Sequence, residues 1–147
     1  MSEQSDDYLK DLHEQWRLHD AALSGDIEEC KRLLDQGQQP NEFDDLGRTP
    51  LHYAGEGQHL EVMKLLIASG ADVNAHDERV IGDTPLGEVA GNCSVEMAKL
   101  LIDSGADPSI PGHMQLTALY KAQQRKRPEG LRVRQLLEQA ARKFNRT

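Results

Sequence analysis

Histidine and cysteine, the side chains that most often bind metals or act as nucleophiles, are present in this sequence but are not spaced for a shared site. His13 and His19 are six positions apart, so on a helix they would lie on different faces and could not ligate one ion. Cys30 and Cys93 belong to no CxxC pair. No glycine-rich phosphate loop, HExxH motif or GxSxG motif occurs. The sequence therefore predicts two reduced, partly buried thiols, no metal, no cofactor and no catalytic residue.

Two adjacent acidic pairs, Asp44-Asp45 and Asp77-Glu78, form the other arrangement that could support chemistry. Two carboxylates divide acid and base roles only where their surroundings drive their pKa values apart. Both pairs lie in short, glycine-containing loops, where aspartate commonly stabilises a turn and burial is slight. We therefore predict that these carboxylates shape loops and that the protein is not an enzyme.

Charge is divided unevenly along the 147 residues. From Lys121 onward there are nine basic and two acidic residues, a net charge of +7, and the formal total of −8 leaves −15 for residues 1–120. A chain that is acidic over most of its length repels nucleic acid and anionic membrane and attracts a basic protein. The run Arg125-Lys126-Arg127 is predicted to be a solvated turn, with contact to an anion or to nucleic acid as the alternative.

Length and hydropathy predict a single cytoplasmic domain. There is no run of 18 apolar residues, and the N-terminus is acidic and polar without the apolar core of a secretory signal. We expect residues 1–5 to be disordered and residues 6–147 to form one domain.

The segment 49–74 has the pattern of two helices joined by a turn. Thr49-Pro50 is typical of a helix start, Gly57-Gln58 interrupts that helix, and Gly70 supplies a left-handed residue after the second one. The apolar residues of the second helix recur at helical spacing: Leu60, Met63, Leu66 and Ile67, flanked by Val62 and Leu65. A unit this small buries its apolar faces only against neighbouring copies.

Copies of that segment occur in register. Thr84-Pro85-Leu86 begins 35 positions after Thr49, and Thr117 follows Thr84 by 33. A period near 33 with Thr-Pro-Leu-His at the opening resembles the ankyrin-repeat family over about residues 16–140. The resemblance implies an all-α solenoid of stacked helix-turn-helix units joined by β-hairpin-like loops. Its implied units are repeats at about 16–48, 49–81, 84–116 and 117–144. Leu9, Leu12 and Trp16 recur at helical spacing, which predicts an N-terminal cap helix over 6–23 that runs into the first repeat.

The resemblance also implies structural roles for the motif residues, which are Thr49, Pro50, His52, Gly70, Thr84 and Gly105. His52 is expected to hydrogen-bond toward the Thr49 side chain and the neighbouring loop. Gly87 stands where repeat two has His52, so we expect that bond to be missing and repeat three to be locally softer. Asn74 is expected to bond backbone groups; it also resembles the ankyrin asparagine that hydroxylases modify.

Family members bind partners through a concave surface formed by hairpin tips and the exposed side of each first helix. Carried over by register, the resemblance implies these partner-binding residues: Asp20, Leu23, Asp44, Asp45, Arg48, Tyr53, Glu56, Gln58, Glu78, Arg79, Ile81, Glu88, Asn92 and Met114. We expect Tyr53, an aromatic residue in the middle of the set, to be the anchor.

The sequence thus predicts a non-enzymatic module that binds a basic protein partner and is a monomer or weak oligomer. One alternative is a dedicated inhibitor, of the immunity or antitoxin type, that masks a basic enzyme. A second alternative is contact with nucleic acid or an anionic surface through the basic C-terminal segment.

Overall fold

The computed structural model describes residues 16–80 and 82–145. These residues form eight α-helices and one 3-10 helix, and they contain no β-strand. The α-helices are α1 (Arg17–Ser24), α2 (Ile27–Asp35), α3 (Pro50–Glu56), α4 (Leu60–Ala68), α5 (Pro85–Val89), α6 (Val95–Asp103), α7 (Ala118–Gln123) and α8 (Pro128–Asn145), and the 3-10 helix spans His113–Gln115.

The helices pair into four units, and the units stack in two layers. The odd-numbered helices form the first layer, in which α1 packs against α3, α3 against α5, and α5 against α7. In the second layer α2 contacts α4 and α6 contacts α8. Stacking buries a row of interfaces instead of one central core. The predicted all-α stack of helix-turn-helix units is confirmed.

Threonine marks the start of three first-layer helices. Thr49, Thr84 and Thr117 are the N-cap residues of α3, α5 and α7, with extended backbones. The hydroxyl of Thr84 accepts a hydrogen bond from the Gly87 amide at 2.9 Å. Proline is tolerated at the first helical position because its missing N–H has no helical partner there. α5 has five residues against seven in α3, in keeping with the glycine in its first turn.

Leucines at equivalent positions form the core. Leu18, Leu51 and Leu86 are fully buried in the first layer. In the second layer, the fully buried leucines are Leu33, Leu66, Leu101 and Leu137. The buried face of α4 consists of Val62, Met63 and Leu66, whereas Leu60 and Ile67 are half-buried at its edges. The core stripe of α4 is therefore centred closer to Val62 than the spacing of the apolar residues predicts.

Two helix starts differ from expectation. The described part of the N-terminal segment does not continue a helix through Trp16, because Trp16 has a ψ of 17° and caps a helix that begins at Arg17. Residues 1–15, with the expected disorder and most of the expected 6–23 helix, lie outside the described residues. At the other end, the apolar spacing of the last helix predicts a start at about Leu131, but α8 begins three residues earlier at Pro128, because proline suits the first turn of a helix.

Candidate protein-binding surface

His52 ties repeat two to the loop that precedes repeat three. The Thr49 amide donates to His52 Nδ1 at 3.0 Å, so Nδ1 carries a lone pair and Nε2 carries the proton. Nε2 then donates to the Asp83 carbonyl oxygen at 2.7 Å. Burial lowers the pKa of His52 to about 4, which keeps the ring neutral. These contacts give His52 a structural role and leave it no access to a substrate.

His19 makes the same contact one repeat earlier, and the sequence analysis missed it. Its Nε2 donates to the Glu42 carbonyl oxygen at 2.8 Å, and the ring is 3% exposed. The signal was the Leu-His pair at 18–19, which recurs at 51–52. Trp16 replaces the threonine of the later repeats, so His19 Nδ1 is left buried without a hydrogen-bond partner. The Trp16 and His19 rings instead meet edge to face, with centroids 5.1 Å apart.

Asparagines clamp consecutive repeats at the base of the hairpins. The Asn74 side chain donates to the Gly105 carbonyl at 3.0 Å and accepts from the Asp107 amide at 2.7 Å. Asn41 makes the equivalent pair of bonds to Gly70 and Asp72. Gly70 and Gly105 both have φ of 99°, in the left-handed region that favours glycine. The amide of Asn74 is therefore committed to holding the next repeat.

Tyr53 is less available than an anchor would be. Its hydroxyl donates to Asp44 Oδ2, and the Arg48 guanidinium carbon lies 4.2 Å from the centroid of its ring. His19 meets the same ring edge to face. Burial, and then the bond to Asp44, raise the pKa of Tyr53 to about 12. Tyr53, which the sequence predicted to be the anchor for a partner, is thus half-buried and already in contact with Asp44, Arg48 and His19.

Arg48 lies between two carboxylates from different repeats. Its Nη2 atom is 2.8 Å from both Glu56 Oε2 and Glu88 Oε2. Burial raises the pKa of Glu88, an effect that the ion pair with Arg48 opposes. The structure brings five predicted binding residues together around a depression of about 200 Å³: Arg48, Glu56, Gln58, Glu88 and Asn92. One arginine pairs with both carboxylates, so the floor of the depression is polar and its formal net charge is −1.

Among the described residues, each of the three hairpins carries a large, exposed apolar side chain. The exposed fractions are 68% for Leu46, 48% for Val80 and 73% for Met114. Met114 also has a φ of 57°, a left-handed conformation that costs a bulky residue more than glycine. Leu46 is not among the predicted binding residues, although its place inside an Asp-x-x-Gly turn marks it as an apolar side chain in an exposed loop.

The acidic residues of the hairpins fall into two groups. Asp44 accepts from the Leu46 and Arg48 amides, and the buried Asp77 pairs with the exposed Arg79. These aspartates shape the turns as predicted. Asp45 and Glu78 are exposed, and no Lys or Arg of the described residues lies within ion-pair distance of either; Glu78 is 3.6 Å from His76. They leave uncompensated negative charge beside the apolar tips.

The other predicted binding residues are more dispersed. Asp20 and Leu23 are exposed on α1. The Leu23 carbonyl accepts from His59 Nε2 at 2.9 Å, which joins the turns of repeats one and two. Ile81 lies outside the described residues.

The basic turn contributes to the stack. Arg125 Nη1 donates to the Cys93 carbonyl oxygen at 2.8 Å, so Arg125 is not the solvated side chain that the sequence predicted. Lys126 and Arg127 are exposed, as expected.

Metal binding, membrane insertion and thiol chemistry are the remaining possibilities for residues 16–80 and 82–145. In this part of the chain no group of three or more His, Cys, Asp or Glu side chains is placed to hold a metal ion. None of its helices combines the length and apolarity needed to cross a membrane. Cys30 and Cys93 are buried free thiols. Burial raises the pKa of Cys30 to about 11 and also raises that of Cys93.

Known proteins share the repeats over part of their length. Human ankyrin repeat domain-containing protein 39 is 34% identical over 67 residues, which cover 46% of this chain and 37% of that protein. The Arabidopsis thaliana E3 ubiquitin-protein ligase XBAT32 is 38% identical over 65 residues, 43% of this chain and 13% of the ligase. The human mitochondrial disaggregase is 50% identical over 54 residues, 37% of this chain and 7% of the disaggregase. The matched segment thus spans well under two thirds of each relative.

A family model describes the repeats themselves. The model for ankyrin repeats in three copies matches residues 18–112, more than half of the chain. Ankyrin repeats are generally protein–protein interaction modules. The Thr-Pro helix starts, the clamping asparagines and the two-layer stack agree with that match, and the chain belongs to the ankyrin-repeat family.

Proposed function

We propose that this chain is a non-enzymatic module that binds a basic segment of a partner protein through its hairpin face. The hairpin face is defined by the exposed tip residues Asp45, Leu46, Glu78, Val80 and Met114. The observation that carries the proposal is a set of three exposed apolar side chains on the three hairpins, two of them beside carboxylates that pair with no Lys or Arg of the described residues. Exposed apolar side chains that lie beside carboxylates favour a partner that supplies apolar and cationic groups together.

The negative electrostatic field of the chain supports a positively charged partner. Residues 1–120 carry a net charge of −15, and Asp45 and Glu78 are exposed. A basic partner would be drawn to this face before contact, which raises the association rate more than the affinity.

The residues beneath the hairpin face would hold its geometry. Arg48 joins Tyr53, Glu56 and Glu88, so a contact at the hairpins is backed by a network that spans repeats two and three. Met114 keeps a left-handed backbone at the third tip, where glycine would be less strained. Preorganised tips lose little conformational freedom on binding.

Affinity capture from the native source, followed by quantitative mass spectrometry, tests the proposal. The bait variant Asp45→Lys/Glu78→Lys reverses the charge of the tips. The control Asp35→Lys/Asp103→Lys makes the same change in net charge at the exposed ends of α2 and α6, where lysine suits the helix dipole. We expect the control and the wild type to retain the same proteins, enriched in basic segments, and the tip variant to lose them. Equal recovery by all three baits would refute the proposal.

The stoichiometry of the captured protein separates two forms of this function. A single basic protein recovered in equimolar amount identifies a dedicated inhibitor, whereas several partners that share a basic segment identify a scaffold.

A further inference from the structure

A groove lies at the other end of the stack, between the turn that follows α5 and the turn that joins α7 to α8. Its volume is about 680 Å³. We call it the C-terminal groove. It is lined by Gly91, Asn92, Tyr120, Lys121, Gln124, Arg125, Lys126, Arg127 and Glu129. Four of the nine are cationic and Glu129 is the one acidic residue among them, so the groove has the opposite sign to most of the chain.

Two of the four cations are fixed in the wall. Lys121 Nζ donates to the Gly87 carbonyl at 2.7 Å and to Asp83 Oδ2 at 3.1 Å. Arg125 Nη1 donates to the Cys93 carbonyl at 2.8 Å and to the Ala90 carbonyl at 3.4 Å. Carbonyl oxygens satisfy the donors of Arg125 but do not cancel its charge. The wall therefore keeps a positive potential in a preorganised geometry.

The other two cations face solvent. Lys126 and Arg127 are exposed, and among residues 16–80 and 82–145 no carboxylate lies within ion-pair distance of either. The Glu129 carboxylate is turned toward α6, where its Oε1 accepts from the Val95 amide at 3.4 Å. The groove thus holds two cations that are free to pair with a ligand.

Tyr120 gives the groove an apolar surface. It occupies the position that His19 and His52 occupy in repeats one and two, where the side chain donates to the next hairpin. Tyr120 is 48% exposed at the groove, and no side-chain hydrogen bond joins it to another described residue. An exposed aromatic ring beside unpaired cations suits a ligand that combines carboxylates with an apolar side chain.

We propose that the C-terminal groove binds a short acidic segment of a protein, with its carboxylates at Lys126 and Arg127 and an apolar side chain against Tyr120. The inference goes beyond the hairpin-face function, because it assigns a second surface and a ligand of opposite charge. A nucleic acid or an anionic membrane that also reaches residues 1–120 would be repelled by their net charge of −15, whereas a segment a few residues long can stay within the groove.

A displayed library of random peptides, each roughly ten residues long, tests the proposal on the whole chain. Selection would use the wild type and the groove variant Lys126→Glu/Arg127→Glu. The control Arg132→Glu/Lys143→Glu changes the net charge equally on exposed positions of α8 outside the groove. We expect peptides with several Asp or Glu residues near one apolar residue, bound about tenfold more weakly by the groove variant and normally by the control. Tyr120→Ala should weaken the same peptides, and the effect should shrink with added salt.

Four results would overturn the proposal. The first is a selection without acidic enrichment, and the second is equal loss of binding in the groove and control variants. The third is tighter binding of a single-stranded oligonucleotide or of phosphatidylserine vesicles than of any selected peptide. The fourth is concentration-dependent self-association, seen by light scattering, that the groove variant abolishes, since a second copy would then be the occupant. None of these results involves Asp45 or Glu78, so failure here leaves the hairpin-face proposal standing.

Discussion

His52 Nε2 donates a hydrogen bond to the Asp83 carbonyl oxygen at 2.7 Å and so joins two repeats through a buried, neutral imidazole. The two residues are 31 positions apart, yet the bond sits immediately before Thr84, where the next first-layer helix begins. The Thr49 amide fixes the tautomer from the other side of the ring. A proton on this ring would place a charge in the core and convert the Nδ1 acceptor into a donor that faces another donor.

The stability of the protein should therefore fall in acid through His52. The folded pKa is lowered to about 4, below the unfolded value near 6.5, so the unfolded chain takes up the proton first. The contribution of neutral His52 to the free energy of unfolding is fully present above about pH 6.5. It declines by about 1.4 kcal/mol per pH unit below that pH and stops changing near pH 4. Urea unfolding of wild type and His52→Gln at several pH values isolates this slope, because the other groups cancel in the difference. Parallel pH dependences of the two proteins would contradict the assignment.

Arg48 should be coupled to Glu88 more strongly than a surface ion pair would be. Both side chains are mostly covered, with 18% and 27% exposure, and Arg48 also lies over the Tyr53 ring. Arg48→Met should destabilise the fold by roughly 1–3 kcal/mol, because Glu88 is left without its cation. Glu88→Gln made in the Arg48→Met protein should recover part of that loss, which a double-mutant cycle of unfolding free energies measures. Strict additivity of the two substitutions would show that the pair is not coupled.

The Asn74 clamp should matter at the junction of repeats two and three. Asn74→Ala removes one bond to Gly105 and one to Asp107, so we expect a loss of roughly 1–3 kcal/mol and faster hydrogen exchange at the Asp107 amide. Ser109→Ala is the matched control, because among the described residues the Ser109 hydroxyl donates only to Asp107, within the same loop. We expect it to change the free energy of unfolding by less than about 0.5 kcal/mol. Equal losses in the two variants would remove the case for an inter-repeat clamp.

The two cysteines should report on the opening of individual repeats. Cys30 and Cys93 are buried, and burial raises the pKa of both thiols, so alkylation of the native protein should be slow. Arg125, in repeat four, donates a hydrogen bond to the carbonyl oxygen of Cys93 in repeat three. Because repeats are stabilised mainly by their neighbours, Arg125→Gln should speed alkylation of Cys93 and leave Cys30 unchanged. Mass spectrometry of the alkylated peptides distinguishes the two, and acceleration of both thiols would indicate global unfolding instead.

The sequence predicted the features that depend on local pattern. Thr-Pro pairs marked the starts of α3 and α5, and glycines 70 and 105 marked the left-handed ends of second helices, because these signals act within one turn. The role of His19 was not predicted, because Trp16 replaces the threonine that begins the motif in the later repeats. The roles of Tyr53 and Arg125 were missed for a different reason. Each is set by which atoms of another loop or repeat come within hydrogen-bond distance, and periodicity carries no such distances.

The central claim, that the hairpin face binds a basic partner, is tested most directly by the association kinetics of the captured protein at several salt concentrations. The proteins to compare are the wild type, Asp45→Lys/Glu78→Lys and the control Asp35→Lys/Asp103→Lys. We expect the tip variant to associate about tenfold more slowly and to lose most of the salt dependence, because the steering charges are reversed while the core is untouched. The control should match the wild type closely. Identical association rates and salt dependences for the tip variant and the wild type would contradict the claim.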